Sequence, residues 1–132
     1  MESSEEEGPM ARYEETVTAD QVGKISWQEE LFKYCRFRDF ELSVVEVDSD
    51  FILCTFENLD WYGGLFNLCN FVECRFQGCV FRGSTFAGCK FVQCTFEDCR
   101  FEDDNMGSAC TFDDSVFYDT VISGSAGVPE IA

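Results

Sequence analysis

Hydrophobic positions in the centre of the chain recur every five residues, a spacing that fits neither an α-helix nor a straight β-strand. From Cys54 to Asp103 the chain divides into ten units of five residues. The first place of each unit is small or apolar, and it is Cys in seven of the ten. The third place is aromatic in all ten, at Phe56, Trp61, Phe66, Phe71, Phe76, Phe81, Phe86, Phe91, Phe96 and Phe101.

The period of five predicts that the chain turns once in every unit. The first and third places can share one face of a strand, but in a straight strand the next aromatic residue would point to the opposite face. A turn after each unit brings every aromatic side chain into one common interior. The fifth place is where such a turn needs a positive φ, and Gly, Asn or Asp adopts it most easily. Residues of these types occupy that place at Gly63, Gly78, Gly83, Gly88, Asn58, Asp98 and Asp103.

These units closely resemble the pentapeptide-repeat family, in which a small residue, a polar residue, Leu or Phe and two further polar residues repeat. The resemblance covers residues 35–124, with a slip of one residue after Met106 and a slip in the opposite sense before Ser49. It implies an all-β fold, a right-handed quadrilateral β-helix (a solenoid) with four sides and about 20 residues per coil. Four to five coils with an irregular N-terminal cap are expected.

The segments outside the repeat are expected to differ from it in structure. We predict a disordered acidic tail at 1–12, a cap or irregular first coil at 13–34, the β-helix at 35–124 and a C-terminal tail at 125–132. Within the cap, Ser26 and Glu29 resemble the capping box of a short helix. However, Val17, Val22, Trp27 and Phe32 keep the spacing of five. Helix and irregular coil therefore both remain open.

The charge balance restricts the partners. The chain has 26 acidic and 9 basic residues and a formal net charge of −17, so nucleic acid and anionic membranes should repel it and basic protein surfaces attract it. We therefore expect a protein partner whose identity stays unknown, no direct nucleic-acid binding and no membrane binding. The acid is unevenly distributed, because residues 61–96 contain one acidic residue, Glu73, against three basic ones.

The nine cysteines all occupy the first, inward place of a unit. Their spacing of five is explained by the repeat and does not match the close pairs of a zinc site. The acidic N-terminus has no signal-peptide pattern, so we expect reduced thiols packed in the core of a cytoplasmic protein. The chain has no His, and no metal or cofactor is expected.

Catalysis is not expected, since the sequence has no His and no phosphate-binding glycine loop. The favoured hypothesis is a non-catalytic protein-interaction module that presents flat β-helix faces. On a register of 20 residues, one uncharged face carries Leu65 and Leu68, then Thr85, Ala87 and Gly88, then Asn105, Gly107 and Ser108. The candidate partner-binding residues are Leu65, Leu68, Glu97, Asp98, Glu102, Asp103, Asp113 and Asp114.

The family resemblance implies an alternative, an acidic DNA mimic that binds and protects or inhibits a type II topoisomerase such as gyrase. The acidic run at residues 97–119 suits this function, whereas the acid-poor middle of the chain does not. A third hypothesis is an end-to-end homodimer, because the open end of a β-helix exposes strand edges that can pair.

Overall fold

The computed structural model describes residues 10–127, which form seventeen short β-strands and one 3-10 turn, Val22–Lys24. All strand pairs are parallel, and the chain forms a right-handed quadrilateral β-helix of about five turns. The strands are β1 Met10–Tyr13, β2 Thr16–Val17, β3 Gln28–Lys33, β4 Arg36–Ser43, β5 Glu46–Ile52, β6 Thr55–Tyr62, β7 Leu65–Asn67, β8 Asn70–Val72, β9 Arg75–Gln77, β10 Val80–Arg82, β11 Thr85–Ala87, β12 Lys90–Val92, β13 Thr95–Glu97, β14 Arg100–Glu102, β15 Thr111–Asp113, β16 Val116–Tyr118 and β17 Val121–Ser123.

Each coil has four faces, which we number in the order in which the chain passes through them. Face 1 contains β1, β3, the end of β5, β8, β12 and β16. Face 2 contains β2, the starts of β4 and β6, β9, β13 and β17. Face 3 contains the ends of β4 and β6, β10 and β14. Face 4 contains the start of β5, β7, β11 and β15.

The aromatic residues of the third place fill the core as vertical stacks. Phe56 and Phe76 lie one coil apart with ring centroids 4.6 Å from each other and planes only 6° apart. Around a corner the rings meet edge to face, as Phe71 and Phe76 do at 5.4 Å. Aromatic pairs favour both arrangements, so the core is held together within and between faces.

The corners between faces take a left-handed backbone conformation, which confirms the role predicted for the fifth place. Gly63, Gly78, Gly83 and Gly88 have φ between 53° and 65°, and Asn58 and Asp98 have φ of 55° and 53°. The prediction is wrong for Asp103, which has no positive φ, because the chain leaves the coil directly after it.

The N-terminal segment is an irregular first coil and not a helix. The capping-box interpretation of Ser26 is wrong, because Gln28–Lys33 is a strand that pairs with β5 and places Phe32 in the core. The inward Glu30 is buried and lies 3.4 Å from the Arg12 guanidinium (Oε1 to Nε), which offsets the burial of its charge.

Both predicted tail boundaries need correction. Residues 10–12, expected in a disordered tail, belong to β1, while the rest of that predicted tail lies outside the described residues. At the other end, Ser125 occupies the inward place next to Cys99 and accepts a hydrogen bond from the Cys99 amide at 2.9 Å. The coil therefore continues to Ala126, whose carbonyl bonds the Phe101 amide, and residues 128–132 are outside the described range.

The two slips of the repeat have different structural forms. Phe37 pairs with Phe56 across 19 residues, so one residue is missing from the early coil. Phe86 pairs with Phe112 across 26 residues, because residues 104–109 form an outward loop between β14 and β15. This confirms the predicted bulge and sets the register of the last coil.

Candidate interaction surfaces

The predicted partner-binding residues lie on three different faces and not on one surface. Leu65, Leu68, Asp113 and Asp114 belong to face 4 and its corner. Glu97 and Asp98 belong to face 2, and Glu102 and Asp103 to face 3. The two leucines and the four more distal acids (Glu97 to Asp103) therefore could not contact one flat partner together.

The middle of face 4 is uncharged, as the sequence predicts. Leu65 pairs with Thr85 in the next coil, and Asn67 pairs with Ala87. The next row was expected to contain Asn105, Gly107 and Ser108, and this is wrong because the 104–109 loop leaves the face. Thr111 and Asp113 form that row, so the face ends in an acidic row followed by Asp114 at the corner.

Leu68 is the most exposed large apolar residue of face 4. It occupies the corner after β7 with φ of 54°, and 73% of its surface is accessible. Its side chain lies over Gly88, where any Cβ would clash with it. A left-handed Leu is strained relative to Gly or Asn, so the stability of the coil does not favour Leu at this place.

The acids on faces 2 and 3 are partly neutralised within the molecule. The Glu97 carboxylate lies 2.7 Å from an Arg75 guanidinium nitrogen. The Glu102 carboxylate is within 3.0 Å of both Arg82 and Arg100. These pairs join neighbouring coils, and the carboxylates that form them are less available to an external cation.

Four aspartates remain at the corners of the last coils. Among the ion pairs of residues 10–127, none involves Asp98, Asp103, Asp114 or Asp119. Each follows the end of a strand on a different face, so together they form an acidic ring near the C-terminal end. Inside this ring, Phe112, Phe117 and Ile122 are only partly buried, because no further described coil covers them.

Face 1 carries an apolar surface that the sequence analysis missed. The outward residues after the core aromatic on this face include Ile52, Val72, Val92 and Tyr118, which pair in register from coil to coil. The signal in the sequence is an apolar residue about every 20 positions. It becomes visible only when the coil length is known and the 104–109 loop is removed.

The cysteines are unpaired, and eight of the nine are buried. Each buried thiol donates to a carbonyl of the preceding coil, as Cys94 Sγ does to Phe71 O at 3.2 Å. Burial raises the pKa of the Cys74 thiol well above its usual value, and burial also raises the pKa of Cys110, which is half-buried. A protonated, enclosed thiol is a poor nucleophile and acts here as a packing group.

Reactive groups do not converge on the described surface. No group of three or more His, Cys, Asp or Glu side chains within residues 10–127 is arranged to hold a metal ion. A hollow on face 3 contains Asp60, Tyr62 and Arg82, but Asp60 already lies 3.5 Å from the Arg82 guanidinium. No helix in the described part of the chain is long and apolar enough to cross a membrane.

The comparison with known families agrees with this geometry. A family model described as pentapeptide repeats (9 copies) matches residues 65–116. The chain belongs to the pentapeptide-repeat family. In its coils, as in the repeat pattern, the small first residue and the aromatic third residue point inward, and the repeat extends beyond the matched range on both sides. A search of curated proteins gave no significant match.

Among solved structures, the pentapeptide-repeat chain is similar to a trypsin-treated variant of QnrB1, a plasmid-mediated fluoroquinolone resistance protein. The sequence identity is 13%, the match covers 89% of this chain and 72% of the other, and the TM-score is 0.30.

Proposed function

We propose that the protein is a non-catalytic interaction module that docks a protein partner on face 4. The observation that carries this proposal is the uncharged centre of face 4, with the exposed Leu65 and Leu68, in a molecule of net charge −17. An exposed apolar patch rimmed by polar residues is typical of protein-binding surfaces.

The charges around this centre indicate the chemistry of the partner. Glu46 pairs with Leu65 from the preceding coil, and Asp113 pairs with Ala87 from the following coil. Carboxylates therefore border the apolar centre at both ends along the coil axis. A partner with an apolar contact and Lys or Arg side chains on either side of it fits this arrangement, since opposite charges at the rim favour encounter.

The test is a binding experiment with charged substitutions on face 4. Leu65→Glu combined with Leu68→Glu would bury two unpaired carboxylates in the contact, and we expect partner capture from a native lysate to fall at least tenfold. The matched control is Val44→Glu combined with Val121→Glu, which adds the same charge at exposed apolar residues of faces 3 and 2. Equal loss with both double variants would contradict docking on face 4.

The acidic ring supports the second candidate function, a DNA mimic that binds gyrase. Here the binding free energy would come from the carboxylates, and binding would weaken steeply with salt. Changing Asp98, Asp103, Asp114 and Asp119 to Asn would then abolish inhibition in a supercoiling assay. We expect no inhibition by the unmodified protein, because arginines neutralise Glu97 and Glu102. Salt-sensitive inhibition at sub-micromolar concentration would favour the mimic over face 4.

We further infer a reducing compartment, namely the cytoplasm. The nine thiols are unpaired although several are stacked in neighbouring coils, and free thiols persist where glutathione and thioredoxin keep them reduced.

A further inference from the structure

The outward residues of face 1 form two parallel columns, one on each side of the core aromatic. Eight of the twelve residues are apolar, and the charged ones sum to +1 in a chain of net charge −17. The first column is Ala11, Leu31, Asp50, Asn70, Lys90 and Val116, and the second is Tyr13, Lys33, Ile52, Val72, Val92 and Tyr118.

The first column is complementary to itself when reversed. Consider a second copy turned over so that its coil axis is antiparallel and Asn70 faces Asn70. Asp50 then faces Lys90 of the other copy, and Leu31 faces Val116. Asp50 and Lys90 are both exposed, and among the described residues Lys90 has no acidic partner within 4.0 Å.

The second column is complementary in the same arrangement. Val72 faces itself, and Ile52 faces Val92. Lys33 faces Tyr118 of the other copy, whose ring is 55% exposed, and a lysine over an aromatic face is attractive. Each charged residue of face 1 thus meets an opposite charge or an aromatic ring.

The alternative two-fold arrangement, with parallel coil axes, lacks this complementarity. It would place the first column against the second at equal height. Asp50 would then face Ile52 and Lys90 would face Val92, so that charged groups would be desolvated against aliphatic side chains. The sequence of face 1 therefore selects the antiparallel arrangement.

We propose that two copies of this chain associate through face 1 as an antiparallel, two-fold homodimer. The contact is isologous, with the same residues contributed by both copies. Five strands at about 4.8 Å spacing and their corners give a face of roughly 25 by 20 Å, or about 1,000 Å² buried in total. This is the lower end for a specific interface, so the dimer is expected to form at micromolar to high-micromolar concentration.

A charge-swap experiment with the full chain tests this proposal by sedimentation velocity over a range of concentrations. Asp50→Lys places two lysines opposite each other at both ends of the contact, and Lys90→Asp places two aspartates there. We expect each single variant to weaken dimerisation at least tenfold. The double variant restores opposite charges and should return the dissociation constant to within about threefold of the original.

Two further measurements keep the outcomes distinct. All these residues point outward, so thermal unfolding of the three variants should follow a single transition close to that of the unmodified chain. A chain that stays monomeric up to millimolar concentration overturns the proposal. So does a dimer that Asp50→Lys leaves intact, which would indicate another contact, such as the open C-terminal end. Because face 4 is not substituted, loss of dimerisation does not depend on whether a partner docks there.

Discussion

At the scale of single residues, Asp104 shows how one side chain changes the path of the chain. The pattern of five assigns it an inward place, but the chain turns outward there and its carboxylate binds the loop that follows. Asp104 Oδ1 accepts hydrogen bonds from the Met106 and Ser108 amides at 2.8 and 2.9 Å. The Asn105 amide donates to the Tyr62 hydroxyl at 2.9 Å, which anchors the loop to face 3.

We predict that Asp104→Ala lowers the free energy of unfolding by about 1 kcal/mol, because two amides lose a charged acceptor in a largely exposed loop. Asp104→Asn keeps an acceptor oxygen and should retain most of the stability. Asp103→Ala is the matched control, since among the described residues no side-chain hydrogen bond or ion pair of Asp103 is found. Urea denaturation measures all three, and equal effects at 103 and 104 would contradict the anchoring role.

At the scale of secondary-structure elements, stability comes from stacking short strands and not from any one of them. A three-residue strand has little stability alone, but each is paired in register on both sides in the middle coils. Phe81 of β10 shows the consequence. It is 1% exposed and lies between Trp61 and Phe101, with ring centroids 6.5 and 4.9 Å away.

Truncating this ring is expected to be severe. Phe81→Ala should lower the free energy of unfolding by about 3–5 kcal/mol, because the neighbouring coils are held apart by their own hydrogen bonds and cannot close the cavity. The outward Gln77 is the control, and Gln77→Ala should change stability by less than about 0.5 kcal/mol. Chemical denaturation distinguishes the two, and comparable losses would mean that the register is wrong.

Arg82 would be a poorer control than its outward position suggests. It lies within ion-pair distance of Asp60 and Glu102 in the two adjacent coils. Its truncation removes contacts between coils as well as an exposed charge, and the cost should exceed that of Gln77→Ala.

At the scale of the whole molecule, the interior is closed by the coils themselves. The thiols of Cys69, Cys79, Cys89 and Cys99 have no measurable exposure, and reagents reach them only when coils separate. The half-buried Cys110, next to the 104–109 loop, is the weakest point of this enclosure.

Thiol titration should therefore report opening of the solenoid. In the native state at pH 8 we expect almost no fast reaction, a slow first equivalent from Cys110 and nine equivalents in denaturant. Cys110→Ser should remove the earliest phase and leave the rest unchanged. Fewer than nine equivalents in denaturant without reductant would reveal disulfides and contradict the account of a reduced core.

The sequence by itself determined the fold, because every unit repeats the same local instruction. Aromatic residues at the third place, small residues at the first and Gly, Asn or Asp at many fifth places specify one strand and one turn, and the agreement of many units leaves no other packing. The interior position of the cysteines follows from the same pattern.

Only the tertiary structure decided which outward residues share a surface. The missing residue before Ser49 and the six additional residues around Asp104 change the register between coils, so Thr111 and Asp113 lie where Asn105 and Gly107 were expected. Ion pairs such as that of Glu97 with Arg75 likewise join residues more than 20 positions apart. Surface columns depend on the cumulative length of every coil, whereas core positions depend only on the nearest five residues, and for that reason the core was predictable and the surfaces were not.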